Sequence, residues 1–280
     1  MIINLIYNSL NLIKINAGAK RKMTKKNECE KKLSLIIYII LNIVIIGCLI
    51  FELLRGEGTK ATTCFNALIL MQLPKLLQKF FKFKFANFLE TIIYLFIFAT
   101  EILGSVYNFY YGIIPHWDSL MHTISGFLFV GVGLFLMRIF VQSTKNKVIS
   151  PLGMIFAACC FSMTMGMAWE LFEYTADKIL LIDMQNDIML TTISSLDLHP
   201  EGKKIDYVIN NIDKTILYDA KGNELIVIKG GYLDIGLNDT MKDLIFNLLG
   251  ALFFAYFGYH QLQNKNKFKF IQNFIPVKIE

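Results

Sequence analysis

Charge is scarce in this chain. Asp, Glu, Lys and Arg make up 18% of its 280 residues, against about 25% in an ordinary soluble domain. Too few water-facing side chains remain to cover a soluble protein of this size, and 55% of the residues are hydrophobic. With a mean hydropathy of +0.49, the composition describes a chain whose surface is largely lipid. It excludes a disordered protein and a DNA-binding domain. Cysteine is sparse as well. Cys29, Cys48, Cys64, Cys159 and Cys160 form no C-x-x-C pair, which excludes a disulfide scaffold and leaves zinc without its usual ligand spacing. A G-x-S-x-G elbow, a Walker A loop and a dinucleotide fingerprint are all missing, so the common hydrolase and nucleotide-enzyme signatures are absent too.

What the chain does have is long apolar runs. Six approach the roughly 20 residues that cross a bilayer as helix: Leu33–Leu54, Ala61–Phe80, Ala86–Tyr111, Asp118–Val141, Pro151–Tyr174 and Asp239–Gln261. They are continuous and not alternating, so helices satisfy their backbone in lipid and a barrel does not. The expected class is all-α, a polytopic membrane helix bundle of about six spans. The second run is the least regular, because Pro74, Lys75 and Lys79 interrupt its end.

The connections carry unequal charge. Lys20, Arg21, Lys22, Lys25, Lys26, Lys31 and Lys32 precede the first span; Lys75, Lys79, Lys82 and Lys84 follow the second. Arg138, Lys145 and Lys147 follow the fourth, and Lys265, Lys267 and Lys269 lie in the tail. The opposite connections offer Arg55 and Lys60 and then nothing basic between Tyr111 and Asp118. The positive-inside bias predicts both termini in the cytoplasm of a multi-pass plasma-membrane protein. The +6 net charge marks that orientation and not a nucleic-acid partner. Met1–Ile13 is apolar but too short to span and lacks a preceding basic region, so a cleaved signal peptide is not expected. An interfacial helix there, or a true start at Met23, are the two readings it leaves open.

The predicted organisation is a basic N-terminal segment at 1–32, spans one to five within 33–175, an extracytoplasmic insertion at 176–238, span six at 239–261 and a basic tail at 262–280. The insertion holds ten acidic and six basic residues, reversing the sign of the rest. Within it, Lys214–Asp219 and Glu224–Lys229 flank Ala220-Lys221-Gly222-Asn223, which predicts a β-hairpin with a glycine-containing turn.

Ionisable side chains inside spans are costly, about 2.5 kcal/mol or more at mid-bilayer, and mark function by default. Span four opens on Trp117-Asp118 and continues to His122 and Ser125; Asp118 and His122, four apart, share a helix face. Span five ends Trp169-Glu170-Leu171-Phe172-Glu173, and Glu170 and Glu173 share another. Span six begins Asp239, Asp243, Asn247, followed by Gly250 and Ala251 on one stripe. The predicted topology brings all three stripes, with Glu101 from span three, near the extracytoplasmic surface. Tyr107, Tyr110, Tyr111, Trp117, Trp169 and Tyr174 read as an aromatic interfacial belt. Gly126, Gly131, Gly133, Gly250 and Gly258 read as close-packing positions.

These stripes resemble VanZ-like and YjdF-type bacterial membrane proteins. The likeness rests on Trp117-Asp118-Ser119-Leu120-Met121-His122 with Gly126, on Trp169-Glu170-Leu171-Phe172-Glu173, and on Asp239 and Asp243 with Asn247 and Gly250. It extends over about Ile114–Tyr259 and implies a multi-span helical protein of the cell envelope with a shared polar site. The long insertion after span five, and a Glu where VanZ-like chains often carry Gln, set this chain apart from the glycopeptide-resistance role associated with VanZ.

The inventory is rich in oxygen, with one imidazole and no Arg, which suits a hard divalent cation or a proton relay. His122, Asp118, Glu170, Glu173 and Asp243 are the candidate catalytic residues. Asp118, His122, Glu170, Asp239, Asp243 and Asn247 are the candidate metal ligands. Metal-assisted chemistry on an envelope or lipid-headgroup substrate is the leading expectation, with the bilayer as the chain's surroundings. The alternatives are a structural or accessory membrane protein and a small proton- or cation-coupled transporter.

Overall fold

In a computed structural model, the backbone is described for residues 2–143, 149–264 and 267–278, and side chains for most of these from Glu28 onward. The apolar stretch Met1–Ile13, the start at Met23 and the basic residues Lys145, Lys147 and Lys265 lie outside the residues with described side chains. Among the described residues, seven α-helices form the frame: α1 Ile2–Leu54, α2 Gly58–Leu70, α3 Leu73–Phe81, α4 Asn87–Phe98, α5 Trp117–Ser143, α6 Pro151–Leu180 and α7 Leu237–Gln263. Among the described residues, five stretches are long and apolar enough to cross a membrane: Glu28–Leu54, Asn87–Val106, Trp117–Gln142, Pro151–Leu180 and Leu237–Gln263. In the most apolar 18 residues of each, only 22–33% are buried inside the protein. The rest presents side chains such as Ile43, Phe140, Phe156, Leu249 and Phe253 outward, as lipid requires and water would not tolerate in such numbers.

The predicted second span is broken in two. Pro74 sits in the first turn of α3; its ring cannot follow a continuing helix and it donates no backbone hydrogen bond. The last turn of α2 tightens instead, with Gln72 N donating to Ile69 O at 3.0 Å. The Gln72 side chain mends the break: Nε2 donates to Leu68 O at 3.3 Å and Oε1 accepts from Tyr38 Oη at 2.7 Å.

Side-chain pairs fix the direction of each pass. Ser34 meets Glu90 at 3.5 Å, Tyr38 stacks on Tyr94 with centroids 5.0 Å apart, and Cys48 Sγ lies 3.7 Å from Tyr107 Oη. So α1 and α4 run parallel. A parallel pair needs a return between them, and α2 with α3 supplies it. Glu90 ties the far end together, accepting from Ser34, from Gln78 Nε2 at 3.2 Å and from Tyr94 Oη at 3.1 Å.

The second half is a tight three-helix group, α5, α6 and α7. Small residues let the backbones touch: a Cβ on Gly250 would sit 1.9 Å from Thr123 O, and one on Gly126 would sit 2.1 Å from Asn247 O. Such approaches need glycine. Away from the polar stripes the core is apolar, with Val130, Leu134, Ala158, Ala251 and Phe254 buried. The tail completes that end. A 3-10 turn at Lys269–Phe274 buries Ile271 and Ile275 in the same cluster. Beyond it, β8 (Val277–Lys278) pairs antiparallel with β1 (Phe83–Lys84).

Between α6 and α7 the chain makes three antiparallel strand pairs: β2 (Ile188–Leu190) with β7 (Tyr232–Asp234), β3 (Ile193–Ser195) with β4 (Tyr207–Ile209), and β5 (Lys214–Tyr218) with β6 (Glu224–Lys229). The last is the hairpin expected from sequence. Asp219 closes its turn by accepting from Asn223 Nδ2, Asn223 N and Lys221 N, each at 2.8 Å; these donors, the Asn223 side chain foremost, hold its carboxyl below the usual carboxylate range.

Candidate functional site

Three helices deliver the site from one end of the bundle. The α5 stripe carries Asp118 and His122, α6 carries Glu170 and α7 carries Asp243. His122 is bracketed. Its Nε2 lies 3.5 Å from Asp118 Oδ1 and 3.8 Å from Asp243 Oδ2, while its Nδ1 lies 3.7 Å from Glu170 Oε1. One ligand atom each from Asp118, His122 and Asp243 can be chosen so that all lie within 4.8 Å of one another. Burial is deep, with Glu170 5% and Asp243 1% exposed. Among the described residues, neither Glu170 oxygen nor Asp243 Oδ1 has a hydrogen-bond partner within 3.5 Å, and their ionic neighbours are His122 Nδ1 at 3.7 Å and Lys242 Nζ at 3.9 Å. Buried polar atoms are almost always paired, so unpaired lone pairs around one imidazole call for an explanation.

The remaining expected residues fall into other roles. Asp239 is saturated. Its Oδ2 accepts from Asn186 N at 3.0 Å and Asn186 Nδ2 at 3.4 Å, and its Oδ1 pairs with Lys242 Nζ at 2.6 Å. Its geometry is that of an anchor for the insertion. Asp177 acts alike at the end of α6, accepting from Met184 N at 2.7 Å and Gln185 N at 2.9 Å, and Gln185 also bonds Thr240. Asn247 lies a turn deeper and fully buried. It donates to Ser162 O and Met163 Sδ, both at 3.4 Å, and faces Ser125 Oγ at 3.5 Å. That amide locks three helices and is not turned to the imidazole. Glu173 accepts from Trp169 Nε1 at 2.9 Å on the half-exposed side of α6. Glu101 stands in a π-helical stretch, Ala99–Val106, outside the group around His122.

Residues 34–264 match the family described as predicted membrane protein (DUF2238). The chain belongs to that family. No curated protein and no solved structure matches it.

Two residues of this DUF2238 chain escaped the sequence reading. Lys242 Nζ reaches Asp118 Oδ2 and Asp243 Oδ1, both at 3.9 Å, besides Asp239. A lysine at the start of a span reads as a solvated end, and only its i, i+3 spacing from Asp239 hinted otherwise. Tyr110 was expected in the interfacial belt. It lies in a second π-helical turn, Phe109–Ile113, and its ring packs where a Cβ on Gly104 would come within 2.1 Å. From there it lines one cavity with Asp118 and Lys242. Tyr107, Trp169 and Tyr174, by contrast, are about half exposed, as the belt expects. π-Helical turns are rare and recur beside functional sites; here two of them flank the group.

Proposed function

We propose that this protein binds one divalent cation at Asp118, His122 and Asp243 and uses it in chemistry on an envelope or lipid-headgroup substrate at the outer leaflet of the bacterial plasma membrane. The observation that carries this reading is the bracketing of His122. Metal-ligating histidines donate the second ring nitrogen to a carboxylate, which fixes the tautomer. Glu170 beside Nδ1 suits that role and leaves the Nε2 lone pair facing Asp118 and Asp243. One imidazole and two carboxylates suit Mn2+, Fe2+ or Zn2+ and leave coordination positions open for water or substrate. A cation held this way would act as a Lewis acid or activate a bound water.

The orientation belongs to the same proposal. Lysine-rich connections at the opposite end of the bundle support cytoplasmic termini and an outward site. The motif order shared with VanZ-like and YjdF-type proteins supports a common polar site and leaves the reaction open. A transporter is favoured less, because below Asn247 the three-helix core is filled by the apolar side chains of Val130, Leu134, Ala158 and Phe254.

The test is thermal melting of the detergent-solubilised protein with Mn2+. A ligand present at 100 times its Kd and binding only the folded state adds about 2.7 kcal/mol. Asp243→Asn and His122→Ala are expected to erase the gain. Glu170→Gln should weaken the affinity by about 10–100-fold, the usual cost of losing the partner behind a histidine ligand. A parent protein indifferent to Mn2+, Fe2+ and Zn2+ would overturn the reading.

A further inference from the structure

A cavity of about 220 Å³ opens beside the cluster, lined among others by Tyr110, His116, Trp117, Asp118, Asn186 and Lys242. Its walls come from the second π-helical turn, the starts of α5 and α7, and the first residues of the insertion. It shares Asp118 with the cluster, so a ligand in it would lie against a cation held there. Its size suits a headgroup fragment, since drug-sized ligands take about 300 Å³ or more.

Both aspartates that line the cavity are engaged, and its one cation, Lys242, is held by Asp239 at 2.6 Å. Both oxygens of Asp239 are taken by Asn186 and Lys242, and Asp118 Oδ1 faces His122. Lys242 is 38% exposed, enough to turn toward a ligand. The N-termini of α5 and α7 both open here, and the positive ends of their dipoles favour negative charge. His116 is held at a φ of 59°, a left-handed conformation that costs a non-glycine residue energy and gathers at ligand sites.

We infer that this cavity is the substrate pocket and that it takes a phosphate group, held by Lys242 and Tyr110 against the cation. The inference rests on the cation reading above and adds a condition to it. Asp118, Asp239 and Asp243 surround one lysine, so the bare site repels an anion and phosphate enters only after the metal. Binding is therefore reciprocal, each ligand tightening the other.

The experiment uses the full chain in a maltoside detergent, which contributes no phosphate. Melting is followed with Mn2+ alone, then with inorganic phosphate or short-chain phosphatidylglycerol, each with and without Mn2+. Either phosphate source should raise the melting temperature only when Mn2+ is present. A response to phosphatidylglycerol at tenfold or more lower concentration assigns the phosphate to a lipid headgroup, and the reverse order assigns it to a soluble ester or ion. Lys242→Gln should keep or enlarge the Mn2+ gain and weaken the phosphate response at least tenfold, while Lys242→Arg retains it. Tyr110→Phe provides a second, milder loss. An intact Mn2+ gain with no response to either phosphate source, or a response unchanged in both Lys242→Gln and Tyr110→Phe, overturns the pocket and leaves the cation reading standing. No Mn2+ gain, with phosphate acting alone, overturns the cation reading and the required order of binding with it.

Discussion

Three aspartates within one turn or two of each other on neighbouring helices divide the work by what their oxygens already touch. Asp239 spends both oxygens on Asn186 and Lys242; Asp243 is 1% exposed and its Oδ1 makes no hydrogen bond, with Lys242 Nζ at 3.9 Å; Asp118 faces His122 and Lys242. A carboxylate that accepts a backbone N–H is an anchor, and losing it leaves that N–H unpaired at a cost of about 1–3 kcal/mol. Asp239→Ala should therefore loosen the insertion, seen as faster proteolysis within 184–236, whereas Asp243→Asn should leave proteolysis unchanged and remove the response to cation. Equal proteolysis of parent and Asp239→Ala would show that the insertion is held elsewhere.

At the scale of elements, α5, α6 and α7 were the most legible part of the chain. Spacing of i, i+4 put Asp118 with His122 and Asp239 with Asp243 on shared faces, and alternation of passes brought those faces to one end. Glycines among them read as close contacts, and Gly126 and Gly250 are contacts of backbone on backbone. The second pass was not legible. A window of apolar residues registers Ala61–Phe80 as one span, yet a single proline stops α2, and only a partner helix decides what mends the break. Tyr38 and Gln72 mark that repair at 2.7 Å. Cysteines substituted for both, in a cysteine-free background, should crosslink with a short reagent in high yield. No crosslink, with a positive control between Ser34→Cys and Glu90→Cys, would mean that α2 and α3 do not return along α1. Tyr110 and Lys242 were missed for a related reason. An aromatic or a lysine near a span end is ordinary by sequence, and only the π-helical turns and the three acids around Nζ reveal that these two point inward.

For the whole molecule, the uneven division of charge is the main clue to orientation. Lysines gather at the end sealed by the tail, and the acidic insertion covers the end that holds the site. Lys203→Cys in the insertion and Lys269→Cys in the tail should react oppositely with an impermeant thiol reagent on intact cells, the first labelled and the second protected. The reverse pattern would put the site in the cytoplasm and remove the outer leaflet from the proposal.

The central claim is that a histidine bracketed by carboxylates holds a cation, and Mn2+ tests it directly by electron paramagnetic resonance. The purified chain is expected to bind one Mn2+ with a nitrogen coupling from a single imidazole. His122→Ala should lose that coupling, and Asp243→Asn should lose the bound ion. Mn2+ that stays free in solution, or that binds with an unchanged signal in both variants, would contradict the account and leave the cluster as a structural lock among three helices.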